Sequence, residues 1–161
     1  MSPTAKPRAA ADDGVPLARL FAIGYRSLID GLHERLTDRG WSNVRENYGF
    51  VLLAARGPGI QASEIAALMG VSKQAASKLV EAMERAGYLH RAPHDEDQRA
   101  KLVTLTTLGD ELLEAVEDIY AELEQEWVAL LDRDRVNALR ADLTTVLRAT
   151  HGGRLPPIRP L

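Results

Sequence analysis

Apolar residues recur along this chain mostly at intervals of three and four, the spacing of α-helices with one buried face. The intervals predict a helix over 17–38, a second from residue 42 or 43 to 55, a long one after Thr106 and a last one over about 134–150. The long helix carries a nearly heptad apolar stripe. Its members are Leu112, Val116, Ile119, Leu123, Trp127 and Leu130.

Residues 62–81 have the pattern of two short helices that cross at a tight turn. Ala66 is small enough for the helices to approach closely, and Gly70 ends the first helix where a left-handed backbone is needed. Ser72 is the N-cap candidate of the second helix, which is expected to end at Gly87. The apolar side chains expected between the two helices are Ile65, Met69, Val71, Ala76 and Leu79.

The outer side of the second short helix carries short, polar or basic side chains, as a helix needs in order to enter the major groove of DNA. Gln74 can bond adenine through two hydrogen bonds, while Lys73 or Lys78 can bond guanine or a phosphate. Helix N-termini also favour phosphate. The hydroxyl groups expected at phosphate oxygens are those of Ser63, Ser72 and Ser77.

After Gly87 the helical spacing gives way to two short strand-like runs, 88–91 and 101–105, joined by a polar loop over 92–99. A two-stranded hairpin directly after such a helix is a wing. The predicted fold is therefore mainly α with a small β-wing.

With this wing, the chain resembles the MarR family of winged helix-turn-helix regulators. The resemblance rests on the helix-turn-helix, on Gly87-Tyr88-Leu89 and on the segment HRAPHDEDQRAKLVTLTTLG. The family's Asp-x-Arg and Leu-Thr-x-x-Gly motifs stand here as Asp97-x-Arg99 and Leu105-Thr106-x-x-Gly109, with a hydrophobic strand between them.

The resemblance implies that the hairpin tip contacts DNA, with Arg99 in the minor groove, where A·T-rich sequence concentrates negative potential. Asp97 lies two residues away and can stiffen the tip through a salt bridge. The alternative is an ordinary surface pair of little energetic value. The basic side chains of Arg91 and Lys101, on either side of the tip, are expected to contact phosphates.

Family members pair through their terminal helices, which implies a homodimer on a pseudo-palindromic operator, with half-sites about one DNA turn apart. The implied architecture is a winged helix-turn-helix DNA-binding region over 41–106 and a helical dimerisation arm over 16–40 and 107–150. Residues 1–15 are expected to be a disordered arm, and 151–161 an extended tail. The expected interface residues are Leu17, Phe21, Ile119, Leu123, Trp127, Leu130, Leu139 and Leu143. The alternative for Trp127 and Leu130 is packing within one chain.

The resemblance also implies a small aromatic or anionic effector that binds between the arm and the DNA-binding region and releases the DNA. An arginine or histidine beside aromatic rings can hold a carboxylate against an apolar wall. The candidates are Tyr25, Arg26, His33, Trp41, Arg45 and Tyr48. Alternatively, the rings fill core space and the arginines face solvent.

The distribution of charged residues along the chain agrees with DNA binding. The net charge is −3, but nine acids and no Lys or Arg lie in 110–132, which leaves 14 acids against 20 bases elsewhere. The basic part of the chain can therefore face DNA. There is no cysteine, no run of 18 apolar residues and no hydrophobic signal segment at the start of the sequence, so a cytoplasmic protein without membrane contact is expected.

Other classes of function have less support. No phosphate-binding glycine loop, GxSxG elbow or acid–base pair is visible, so we expect no enzyme and no cofactor. His90 and His94 lie four apart on a strand and a loop and complete no metal site, although a metal-responsive regulator is an alternative. A second alternative is a winged helix that contacts proteins. The polar outer side of the second short helix favours DNA.

Overall fold

The computed structural model describes residues 14–93 and 101–156. Within them the chain forms six helices and a small sheet. The helices are α1 Leu17–Asp38, α2 Tyr48–Ala55, α3 Ala62–Met69, α4 Lys73–Arg85, α5 Thr107–Leu131 and α6 Arg133–Thr150, and the strands are β1 Ile60–Gln61, β2 Leu89–Pro93 and β3 Lys101–Leu105. The mainly α fold with a small β-wing is therefore confirmed. No helix in these two ranges is long and apolar enough to cross a membrane.

The long helices α1 and α5 pack against each other over much of their length. They lie close together at Gly31, where an added Cβ would lie 2.9 Å from Cδ2 of Leu123. Arg35 and Arg39 on α1 form ion pairs with Glu126 and Glu122 on α5. One cluster of buried side chains continues from this pair of helices into the helix-turn-helix, so the two predicted regions share a core.

The helix-turn-helix forms as the sequence predicts. Gly70 ends α3 with φ 68° and ψ 30°, the left-handed conformation that glycine adopts most easily. The Ser72 hydroxyl caps α4 by accepting a hydrogen bond from the Ala75 N–H at 3.1 Å. Ala66 is buried where the two helices meet. Val71 was expected between them but is 40% exposed, because it lies in the turn itself, outside both helices.

The sheet has three antiparallel strands in the order β1-β3-β2, one more than the predicted hairpin. The additional strand pairs Ile60 with Val103 and Gln61 with Leu102. Gly59 precedes it with φ 90°, and a Cβ at that position would lie 2.6 Å from Cγ2 of Thr104. A two-residue strand is too short to show an alternating pattern, so the sequence did not reveal it.

The second helix begins at Tyr48, five or six residues later than predicted. Asn43 has capping-box spacing with Glu46 and is one of the two expected starts of the helix, but its φ of 62° lies in the left-handed region and does not begin a right-handed helix there. Residues 41–47 form turns. Val44, Arg45 and Glu46 of this segment line the apolar cavity described below.

Thr106 connects the end of α4, the sheet and the start of α5. Its backbone N–H donates to Tyr88 O at 3.1 Å. Its hydroxyl donates to Gly87 O and accepts from the Gly109 N–H at 3.0 Å. The predicted cap of the long helix is thus confirmed, and it also fixes the direction in which α5 leaves the sheet.

Gly109→Ala is expected to destabilise the protein by about 1–3 kcal/mol, the usual cost of an overpacked site. The new Cβ would lie 2.1 Å from the backbone oxygen of Tyr88, which cannot move without disturbing the Thr106 contacts. Urea unfolding followed by circular dichroism measures the change.

The matched control is Gly49→Ala, a helical glycine whose added Cβ would have no neighbour within 4 Å. This control should be neutral or stabilise by up to about 1 kcal/mol, because alanine is the better helix former. Equal stability of the two variants would contradict the close packing at Gly109.

Candidate nucleic-acid interface

The first turns of α4 present a polar, basic surface to solvent. Ser72, Lys73, Gln74 and Lys78 are exposed, and Ser77 is half-buried. Lys73 and Ser77 are four residues apart, as are Gln74 and Lys78, so the side chains of each pair are neighbours on the helix surface. Because the apolar side of α4 is buried through Ala76, Leu79, Val80 and Met83, this polar side has a fixed orientation.

A polar cleft of about 290 Å³ lies beside this surface, between α3, α4 and the sheet. It brings together four predicted contact residues that are far apart in the sequence. They are Ser63, Ser77, Arg91 and Lys101. Ser63 belongs to the first turn of α3, which Glu64 caps by accepting the Gln61 N–H at 2.9 Å. The cleft thus adds hydroxyl, guanidinium and ammonium groups to the surface of α4.

The side chain of Arg91 is not freely exposed, as the sequence suggested, but paired with an acid. Its Nε lies 3.2 Å from Oε2 of Glu84, and both side chains are 26% exposed. The contact is an ion pair by distance. Nε and Nη2 are nevertheless buried without a well-oriented hydrogen bond. Glu84 was missed by the sequence reasoning, because the pairing depends on how β2 folds back along α4.

The tip of the wing falls outside the described residues, and with it Asp97, Arg99 and His94. Their predicted roles stay predictions. On the described parts of the hairpin, β2 and β3 pair from Leu89 with Leu105 to Pro93 with Lys101. In 14–93 and 101–156 no group of three or more metal-ligating side chains is found.

An apolar cavity of about 320 Å³ lies between α1, α2, α5 and the 41–47 segment. Its volume is at the lower end of the range for small-molecule sites. Three of the six predicted effector residues line it: Tyr25, His33 and Arg45. The sequence reasoning missed most of the apolar wall, because no local pattern shows which apolar residues of separate helices face the same cavity. The wall includes Ile29, Leu32, Val44, Phe50, Leu113, Val116 and Tyr120.

The other three predicted effector residues do not line this cavity. Trp41 and Tyr48 pack on Tyr88, with ring centroids 6.3 and 6.0 Å away, and so fill the junction with the sheet. Arg26 donates to Oε1 of Glu46 at 2.8 Å. The aromatic pair therefore follows the alternative in which rings fill core space.

The rim of the cavity is charged, but its carboxylates are already paired. Glu46 accepts from Arg26, and Glu117 accepts from Arg56 at 2.8 Å. The hydrogen bond from Arg56 lowers the pKa of the Glu117 carboxyl below its ordinary value. Burial and the nearby Glu46 raise the pKa of the Tyr25 hydroxyl. The His33 Nε2 atom is buried and makes no hydrogen bond in the described part of the chain.

Several predicted dimer residues are exposed and apolar. Leu17, Phe21 and Leu130 are more than half exposed, Trp127 and Leu139 more than one third. Leu143, which is half-buried, lies with Trp127 and Leu139 in a groove between α1, α5 and α6. Ile119 and Leu123 are a correction. They are buried within one chain, Leu123 beside Gly31 of α1, because the heptad stripe of α5 packs inside the protomer over 112–123.

Taken together, these elements define a winged helix-turn-helix protein with a helical arm. Residues 50–100 match the model of the MarR family. The apo form of MarR from E. coli is 26% identical, with a TM-score of 0.69 over 83% of this chain and 98% of that one. In both sequence and fold the chain is thus similar to the MarR family of winged helix-turn-helix transcription regulators.

Two further similarities extend the comparison. A MepR variant from S. aureus, bound to an oligodeoxyribonucleotide, is 25% identical, with a TM-score of 0.57 over 86% of this chain and all of that one. The HTH-type transcriptional regulator BilQ of Clostridium symbiosum is 26% identical over 90 residues, which are 56% of this chain and 62% of BilQ. The chain thus matches less than two thirds of that relative. These proteins are regulators, in agreement with the expectation that the chain is not an enzyme.

Ser72→Ala is expected to lower the free energy of unfolding by about 1 kcal/mol, because the first turn of α4 loses its cap. Ser72→Asp keeps an acceptor for the Ala75 N–H and should restore most of that stability. Ser63→Ala, an exposed serine in the first turn of α3, is the control and should change stability by less than about 0.5 kcal/mol. Equal losses in the alanine and aspartate variants would argue against the cap.

Proposed function

We propose that this chain is a homodimeric DNA-binding repressor that recognises a pseudo-palindromic operator and releases it when a small molecule binds. The observation that carries the proposal is the continuous polar surface formed by the first turns of α4 and the neighbouring cleft. This surface offers three lysines, an arginine and three serines without an aromatic side chain among them. Such groups suit phosphates and base edges in duplex DNA better than stacked single-stranded bases.

In the proposed complex α4 lies in the major groove. Gln74 contacts a base, Lys73 and Lys78 contact a base or phosphates, and Ser72 lies near the backbone. The cleft residues Ser63, Ser77, Arg91 and Lys101 lie along the flanking phosphates. Arg99, at the tip of the wing, occupies the adjacent minor groove, and Asp97 stiffens the tip. The complex of the MepR variant with an oligodeoxyribonucleotide supports this use of the fold.

The second copy of the chain is proposed to cover the exposed apolar side chains of the arm. Besides the residues predicted from the sequence, Leu20, Ile23, Val146 and Leu147 are exposed on α1 and α6. Apolar surface of this extent on helices that end the domain is typical of an interface. A repressor role is supported by the name of a similar solved structure, Multiple Antibiotic Resistance Repressor, MarR.

The effector is proposed to occupy the apolar cavity. This cavity touches α1 and α5 of the arm and also α2, which packs against α3. A ligand there can bias the position of the helix-turn-helix relative to the arm. Arg45 is the cation that lines the wall and can meet an anionic group, while the tyrosines and the apolar wall receive an aromatic ring.

Footprinting of the purified protein on its own upstream region tests the function directly. We expect protection of two half-sites about one helical turn apart, and weaker protection when an aromatic acid such as benzoate or salicylate is added. Absence of binding to any duplex at low ionic strength would overturn the function. Binding that no aromatic compound weakens would overturn the effector part alone.

Gln74→Ala is expected to cost about 1–3 kcal/mol at one base pair per half-site, because a bidentate base contact is lost. Lys78→Ala should instead weaken binding to all sequences and reduce the salt slope by about 1 if it contacts a phosphate. Selection from a randomised-site library separates these effects. An unaltered base preference in the Gln74 variant would reject its assignment.

Phe21→Glu and Leu130→Glu are expected to give folded monomers, because each places a charge on the proposed interface while the side chain is exposed in one protomer. Operator affinity should fall by about a hundredfold or more when the second half-site is no longer held. Sedimentation velocity measures the oligomeric state. Leu53→Glu, at an exposed leucine of α2, is the control and should leave the dimer intact. Dimers in both arm variants would refute this interface.

A further inference from the structure

The ion pair between Glu84 and Arg91 places an acid at the edge of the surface proposed to bind DNA. Glu84 lies in the last turn of α4, and Arg91 is the third residue of β2. The two side chains are equally shielded from water, each 26% exposed, with Oε2 and Nε 3.2 Å apart. A half-buried pair is screened less by salt than a pair on the open surface.

The pair constrains a long side chain. A free arginine loses rotamer freedom when it binds a phosphate, and this cost weakens the contact. Here Nε and Nη2 are buried against the protein, and Arg91 at the same time lines the polar cleft with Ser77 and Lys101.

The charges in and beside the cleft suit one phosphate group. Arg91 and Lys101 supply two positive charges, and Glu84 compensates one of them from behind. The hydroxyls of Ser63 and Ser77 are donors on the same walls. A singly charged backbone phosphate would therefore find charge compensation and hydrogen-bond donors together.

We propose that Glu84 is a positioning residue for DNA binding: it holds the Arg91 guanidinium in the cleft so that one backbone phosphate is bound by a preorganised set of donors. The inference rests on the proposed DNA binding and assigns a role to an acid that has none in it. Glu84 itself does not touch the DNA in this arrangement.

For the removal of Glu84, electrostatic repulsion alone and a positioning role predict opposite changes in DNA affinity. Removing a carboxylate close to a polyanion should strengthen binding, because repulsion is relieved. If Glu84 instead holds Arg91, its removal frees the guanidinium and weakens binding. A second acid on the same helix, Glu81, is exposed and forms no ion pair with a residue of the described ranges, so Glu81→Ala reports the electrostatic effect alone.

The test measures fluorescence anisotropy of a labelled operator duplex and of an unrelated duplex of the same length at several salt concentrations. Glu84→Ala should weaken binding to both duplexes by about tenfold, the value of one charge-assisted contact, and lower the salt slope by about 1. Glu84→Gln keeps a polar oxygen beside Nε without the charge and should recover part of the affinity. Glu81→Ala should bind as tightly as the wild type or more tightly.

A double-mutant cycle completes the test. Arg91→Ala should show the same loss of affinity and slope, and adding Glu84→Ala to it should cost nothing more, because the two residues act through one contact. Equal or tighter binding by Glu84→Ala, or losses that simply add, would overturn the proposal. Thermal unfolding of each variant separates weakened binding from a damaged fold. A wild-type protein that binds neither duplex would reject the DNA-binding function itself.

Discussion

Hydrogen bonds of Thr106 hold the helical arm and the helix-turn-helix in a fixed relation to the sheet. Thr106 is hydrogen-bonded to Gly87 after the end of α4, to Tyr88 before the start of the sheet and to Gly109 in the first turn of α5. A change in the direction of α5 therefore moves the sheet and the C-terminal end of α4 as well. The absence of a side chain at Gly109 is what permits this contact, since a Cβ would occupy the space of the Tyr88 carbonyl.

The parts of the fold that depend on local chemistry were predictable from the sequence. Gly70, Ser72 and Thr106 act through the backbone of their immediate neighbours, so residue type and spacing were sufficient. The start of α2 was not predictable in this way. Asn43 and Glu46 have the spacing of a capping box, but Asn43 adopts a left-handed turn that the sequence pattern does not distinguish from a cap.

The candidate site was predictable only where one helix forms it. The outward side of α4 follows from its period, and the exposed residues there agree with the pattern. The cleft and the Glu84–Arg91 pair depend on strand register, which a five-residue strand does not specify. Likewise, the heptad stripe of α5 gave the correct buried face. It could not tell that Ile119 and Leu123 are already buried within a single chain.

The weak attachment of α6 has a consequence for how this protein folds. Of its 18 residues, Val136 is the buried one, while Leu139, Val146 and Leu147 remain exposed. A helix with so small a buried face gains most of its stability from whatever packs on the other side. With the proposed pairing of arms, that stability comes from the other protomer. Denaturation midpoints should then rise with protein concentration, and the last helix should exchange its amide hydrogens quickly in dilute solution.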